Sequence, residues 1–240
     1  MYRTREEARL ATRRISRRWP LISGIIAAVL VAVLGLLVWL RQGPFSVDTE
    51  WAVEVREDPT GFLDIVSNVM NQLGGGPVAV WVIPLLGVAA LLIVKRPFAA
   101  LYWLLAIAAS AGVVQLVKHL IGRERPEDML VTSDFGSFPS GHTANAATVA
   151  LVLGVLFPRV LVWLAGAAGV ALMAFTRTYL GAHWLTDTIG GVLIGVCVAL
   201  IIGAPFADRL FRERHRLPAR PRTSAATAAP DEKRRKPRDR

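Results

Sequence analysis

The 240-residue chain is 53% hydrophobic and carries a formal net charge of +10, with a positive mean hydropathy. Seven of its 28 Lys and Arg residues fall in residues 1–20 and twelve in residues 207–240, leaving nine basic residues against eleven acids between them. That balance argues against a soluble nucleic-acid binder, whose basic groups would line a folded surface, and fits a membrane protein with basic cytoplasmic ends.

Residues 1–20 read as a basic cytoplasmic segment, and residues 21–40, "LISGIIAAVLVAVLGLLVWL", form an uncharged run of the length that crosses a bilayer as a helix. The preceding "TRRISRR" also fits a twin-arginine export signal, but the run is long for one and lacks a small-residue cleavage site, so a span is the preferred reading. In the loop that follows, Phe62, Ile65, Val66, Val69 and Leu73 recur at helical spacing. They predict a helix lying on the outer leaflet or packed on the bundle. Further apolar runs at 77–94, 97–117, 143–157, 160–176 and 188–206 bring the expected spans to six. The fourth and fifth are short for a bilayer, so their helices are expected to extend into the flanking polar residues. Cys197 lies in the last run and is the single cysteine, which rules out an internal disulfide. Residues 207–240, rich in Arg, Pro, Ala and Thr without apolar periodicity, read as a basic, disordered cytoplasmic tail.

The fold class is therefore all-α: a polytopic membrane protein with a six-transmembrane-helix bundle over residues 21–206. The short basic links at 95–97 and 158–159, with the even number of spans, put both termini in the cytoplasm. Loops 41–76, 118–142 and 177–187 then face outward.

The outward segments hold polar groups that suit one kind of ligand. Lys118 and Arg125 lie in "KHLIGRERP", Ser140, Gly141 and His142 in "PSGH", and Arg177, His183 and Asp187 in "TRTYLGAHWLTD". Three cations at a membrane boundary require an anionic partner, and guanidinium forks match phosphate oxygens. Ser140 and Gly141 precede a helix, whose free backbone N–H groups attract anions. His183 and Asp187 are four apart. If the helix begins by His183 they share a face, the carboxylate accepts one imidazole N–H, and the other ring nitrogen is free as a nucleophile. The same spacing suits zinc, which the three neighbouring cations disfavour. His142 is a second imidazole whose ordinary pKa, about 6.5, suits proton transfer. His119, Arg123 and His215 match no motif position, and Trp103, Trp163 and Trp184 read as interfacial anchors.

With Lys118, Arg125 and Pro126 as KxxxxxxRP, residues 139–142 as PSGH, and Arg177, His183 and Asp187 as RxxxxxHxxxD, the sequence resembles the type 2 phosphatidic acid phosphatase family, related to vanadium haloperoxidases. Thr176 stands where that family usually has Ser. The resemblance implies a membrane phosphatase that needs no metal or other cofactor and works through a phosphohistidine. It assigns His183 as nucleophile, Asp187 as its orienting carboxylate and His142 as proton shuttle, with Lys118, Arg125, Ser140, Gly141 and Arg177 binding the phosphoryl oxygens. The implied substrate is a lipid phosphate or diphosphate, undecaprenyl diphosphate first, with phosphatidate and phosphatidylglycerol phosphate as alternatives. A lipid-phosphate binding or transport protein without turnover is the non-enzymatic alternative.

Overall fold

The computed structural model describes residues 5–41, 43–57 and 59–215, with side chains from residue 18 onward. Among them all regular structure is helical. The first helix, α1 (Arg5–Arg41), continues through the basic N-terminal segment into the first apolar run. Two shorter helices follow, α2 (Ser46–Glu54) and α3 (Gly61–Gly74), the latter capped by the Thr60 hydroxyl, which accepts the Leu63 N–H at 3.2 Å. A π-helical turn (Val78–Val82) leads into α4 (Ile83–Ile93), bent by 47° from α3. Then come α5 (Pro97–Ile121), α6 (Gly141–Leu156), α7 (Val160–Tyr179), α8 (Leu185–Gly203), a 3-10 turn (Ala204–Phe206) and α9 (Ala207–Arg214).

Four stretches are long and apolar enough to cross a membrane: Arg18–Arg41, α5, α7 and Leu185–Arg214. The bent α3/α4 pair makes a fifth, while α6, with 16 residues, is shorter. Against the six expected spans, with the fourth and fifth short, the described residues hold four full spans, one broken one and a short central helix. The reason lies in packing. α6 contacts α5, α7, α8 and α3, and at a rise of about 1.5 Å per residue it would cover only about 24 Å. A helix enclosed by its neighbours meets protein instead of lipid, so bilayer thickness does not set its length.

The seam between α6 and α8 sets the position of the site. A Cβ on Gly191 would lie 2.5 Å from the Ser140 carbonyl oxygen, and one on Gly195 2.5 Å from that of Ala144. The two helices therefore meet backbone to backbone, as small residues four apart permit. At the end of the seam the Ser140 N–H donates to the Asp187 carbonyl at 2.9 Å, which ties the starts of α6 and α8 together.

Two expectations are corrected and a third is decided between its alternatives. Trp103 is a core residue, 5% exposed, with its indole N–H donating to the Pro84 carbonyl; a buried acceptor holds it, not the interface. The tail is not irregular from residue 207: α9 continues the chain, and the Glu213 carboxylate accepts the Phe98 and Ala99 N–H groups at 2.6 and 3.0 Å, capping α5. The rest of the predicted disordered tail, from residue 216, lies outside the described residues. In α3, Phe62, Ile65, Val69 and Leu73 are exposed, while Ser67 and Asn71 face the bundle. The predicted stripe is real and is the outward face of a helix that packs through its polar side.

Candidate active site

All eight motif residues collect at one end of the bundle. Lys118 sits in the last turn of α5 and Arg177 in that of α7. Ser140 caps α6, Gly141 and His142 open it, and Asp187 lies in the first turn of α8. His183 precedes that helix instead of starting it. The shared helical face is replaced by a tight α7–α8 turn, which still leaves His183 Nδ1 3.6 Å from Asp187 Oδ2, just past hydrogen-bonding reach.

The other ring nitrogen, Nε2, faces Arg125, whose Nη1 lies 3.4 Å away. Arg125 is held by the carbonyls of Asp134, Gly136 and Ala182. Lys118 donates to the same Gly136 carbonyl at 2.6 Å. Both cations also reach the Asp134 carboxylate, at 2.8 Å from Arg125 and 3.3 Å from Lys118. Partial burial pushes the Asp134 carboxyl up, but Lys118, Gln115 and Arg125 outweigh it and hold the group below the usual carboxylate range. His183 is held well below the ordinary imidazole value by burial first, then by Arg125, Arg177, Lys118 and His142. That direction favours the neutral imidazole.

Ser140 and Gly141 contribute differently from each other. The Ser140 hydroxyl oxygen accepts the Thr143 hydroxyl at 3.1 Å and the Thr143 N–H at 3.5 Å as the α6 cap. Its own hydrogen is what it can offer a ligand. A Cβ at Gly141 would meet nothing nearer than Val114 at 3.5 Å, so glycine there is not enforced by packing. The free N–H groups of the first turn of α6 are the anion-attracting feature. Thr176 turns its hydroxyl back to the Met173 carbonyl of its own helix at 2.9 Å.

Four residues outside the motifs belong to the site. Asn71 of α3 joins two of the motifs: its side-chain oxygen accepts from Arg177 Nη1 at 2.5 Å, and its carbonyl is 3.1 Å from His142 Nε2. Asp134 is the counter-ion just described. Arg123, set aside in the sequence as matching no motif position, is buried and paired with both Asp187 and Asp48. Trp184, expected at the interface, donates its indole N–H to the Glu124 carbonyl and covers the Arg123 guanidinium. The one signal that could have raised Arg123 is its place two residues before Arg125 in a loop where an unpaired charge would be costly.

Residues 99–209, which carry all eight positions, match the PAP2 superfamily model. Over that stretch the chain is similar to the PAP2 superfamily. Phosphatidylglycerophosphatase B of Bacillus subtilis is 28% identical over 165 residues, covering 65% of this chain and 80% of that protein. An undecaprenyl-diphosphatase of Sulfolobus acidocaldarius is 34% identical over 65 residues, 27% of this chain and 31% of its own length. The crystal structure of a transmembrane PAP2 type phosphatidylglycerolphosphate phosphatase from Bacillus subtilis superposes with a TM-score of 0.65 at 22% identity, covering 78% of this chain and 96% of that one. This chain is thus a multi-pass membrane protein with the fold of PAP2 phosphatases, and the relatives it matches are hydrolases of phosphoester bonds.

Proposed function

We propose that the protein removes phosphate from the headgroup of a membrane lipid at the outer leaflet, through a phosphohistidine on His183. The observation that carries this reading is the two-sided setting of His183. Its Nε2 lies 3.4 Å from the Arg125 guanidinium, and its Nδ1 faces Asp187 at 3.6 Å. Nε2 attacks phosphorus in line, a P–N bond forms, and the bond to the leaving oxygen breaks as His142 gives that oxygen its proton. Asp187 stabilises the imidazolium that develops. His142, now neutral, takes a proton from water; the resulting hydroxide attacks phosphorus, the P–N bond breaks, and inorganic phosphate leaves. Lys118, Arg125, Arg177, the Ser140 hydroxyl and the Gly141 N–H bind the phosphoryl oxygens as charge shifts. These protein cations neutralise charge that divalent metals handle in other phosphoryl-transfer sites, so turnover is expected to survive chelation.

Read as six passages, counting the bent pair and the short α6, the chain has both basic ends in the cytoplasm and the motif residues at the outer headgroup level, the reading that the positive-inside rule supports. Undecaprenyl diphosphate is the first substrate reading, since its diphosphate is presented at that leaflet. Phosphatidylglycerol phosphate is the second, favoured by the Bacillus subtilis relative, of which this chain covers 80%. The test is phosphate release by purified protein in detergent from a panel holding these two lipids and phosphatidate. Wild type is expected to turn over at least one and His183→Ala none. Phosphate release unchanged in His183→Ala refutes the enzymatic mechanism, and tight lipid-phosphate binding without turnover by wild type favours a carrier.

A further inference from the structure

On the Nδ1 side of His183 the chain buries three charges in one cluster. Asp48, Arg123 and Asp187 are 0%, 2% and 0% exposed. They come from α2, from the α5–α6 connection and from the first turn of α8. Arg123 Nη2 donates to Asp48 Oδ2 at 2.7 Å, and Nη1 donates to Asp187 Oδ1 at 2.6 Å. Thr186 locks the arrangement. Its hydroxyl donates to Asp48 Oδ2 at 2.9 Å and accepts from Arg123 Nη1 at 2.8 Å, while its backbone N–H donates to Asp48 Oδ1 at 2.9 Å. The guanidinium also lies 5.7 and 5.8 Å from the ring centroids of Phe45 and Trp184.

A buried ion cluster does not by itself stabilise a fold, because desolvation offsets the attraction. Here the geometry points to a different use. Asp187 Oδ1 is taken by Arg123, and Oδ2 accepts the Trp184 N–H at 2.9 Å while facing His183 Nδ1 at 3.6 Å. Arg123 therefore fixes the rotation of the carboxylate, which decides whether Oδ2 can meet the imidazole N–H. Asp48 fixes Arg123 in turn and balances its charge. One net negative charge is left beside an imidazole that becomes cationic on attack.

We propose that Asp48 and Arg123 are positioning residues for phosphoryl transfer: Asp48 orients Arg123, and Arg123 holds the Asp187 carboxylate with Oδ2 toward Nδ1 of His183. The assignment rests on His183 being the nucleophile. It separates two arginines two residues apart: Arg125 serves the phosphate side of the imidazole, Arg123 the opposite side. It also makes α2, well outside the motifs, part of the catalytic apparatus.

The test uses the purified full-length chain in detergent with its best lipid substrate carrying a 32P label, and orthovanadate as the pocket probe. Arg123→Met is expected to lower kcat about 10- to 100-fold with KM nearly unchanged, the range seen when a supporting partner behind a reactive group is removed. Rapid-quench formation of phosphohistidine slows by the same factor. The charged groups around the relay are Asp48 and Arg123 beside Asp187, and Lys118, Arg125, Arg177 and His142 beside His183. Arg123→Lys restores part of the rate. Asp48→Asn lowers kcat less, since Asp187 still holds Arg123. Thermal stabilisation by orthovanadate persists in all three. Wild-type kcat in both Arg123→Met and Asp48→Asn overturns the assignment. So does a loss of kcat that Lys does not rescue and that removes orthovanadate stabilisation, the pattern of a purely structural pair. A wild type that turns over without forming phosphohistidine overturns the nucleophile itself, a separate failure.

Discussion

Asn71 shows at the residue scale how much of the site lies outside the motifs. Its side-chain oxygen sits on Arg177 Nη1 and its carbonyl on the His142 ring, so α3 contacts both the group proposed to bind phosphate and the group proposed to transfer the proton. Asn71→Asp would put a carboxylate where the phosphoryl oxygens compete for Arg177. A hydrogen bond to a charged group is worth about 1.5–3 kcal/mol, so KM is expected to rise about tenfold or more, with kcat less affected. Steady-state kinetics on mixed micelles checks this, and an unchanged KM contradicts it. His183 gives a pH prediction with a definite sign. Burial and the surrounding cations depress its pKa, so the unfolded chain binds the proton first as pH falls through about 6.5. The stability contribution of this group is complete above that value and is lost below it. The acid limb of kcat/KM belonging to His183 is likewise expected below about pH 6.5, measured after correcting for substrate phosphate ionisation. A His183 limb above 6.5 contradicts a depressed imidazole. The eight motif residues were legible because their spacing is fixed in short segments. Asn71, Asp48 and Arg123 were not, because their partners lie 64 to 138 residues away and a lone Asn or Asp carries no period.

At the element scale, the α6–α8 seam is what brings PSGH to His183 and Asp187. Gly191→Ala would drive a Cβ against the Ser140 carbonyl, which is backbone and cannot swing away. Overpacking of this kind costs about 1–3 kcal/mol, and the shift falls on the cap of α6, so both melting temperature in detergent and kcat are expected to drop. Gly112→Ala on α5 is the control: nothing lies within 4 Å of its Cβ, and the gain in helix propensity, about 1 kcal/mol, makes it neutral or stabilising. Equal effects from the two substitutions would mean that the seam does not set the site. The α5 N-terminus offers another measurement. Glu213→Ala removes the acceptor for the Phe98 and Ala99 N–H groups and is expected to lower stability by about 1 kcal/mol, as loss of a helix cap does. Wild-type kcat is expected, because the contact is at the end of α5 remote from Lys118. The apolar runs made most helices legible. The bend between α3 and α4 and the short α9 were not, because a π turn has no composition signature and α9 is held by its own Glu213 carboxylate on α5 and by the single buried Leu210, too little to make an apolar period.

For the whole molecule, the distribution of charge and the direction of the helices fix what the site faces. Arg96 and Arg159 precede α5 and α7, whereas Lys118 and Arg177 lie in the last turns of the same helices. The basic links and the motif cations are therefore at opposite ends of the bundle. That polarity was legible from charge alone, whereas the number of full spans was not, because a helix enclosed by protein escapes the length rule that the bilayer imposes. Positive charge is retained on the cytoplasmic side, so the motif end is expected to face outward. In a Cys197→Ser background, Leu130→Cys places a thiol in the α5–α6 connection, where the native side chain is 65% exposed. Arg159→Cys places one at the exposed start of α7. A membrane-impermeant maleimide added to intact cells is expected to label the first and not the second, with the second labelled after lysis. The reverse pattern would turn the phosphate pocket toward the cytoplasm. It would leave the chemistry of His183 untouched but remove a diphosphate lipid of the outer leaflet from its reach, making the leaflet, before the headgroup, the first determinant of which lipid this site can hydrolyse.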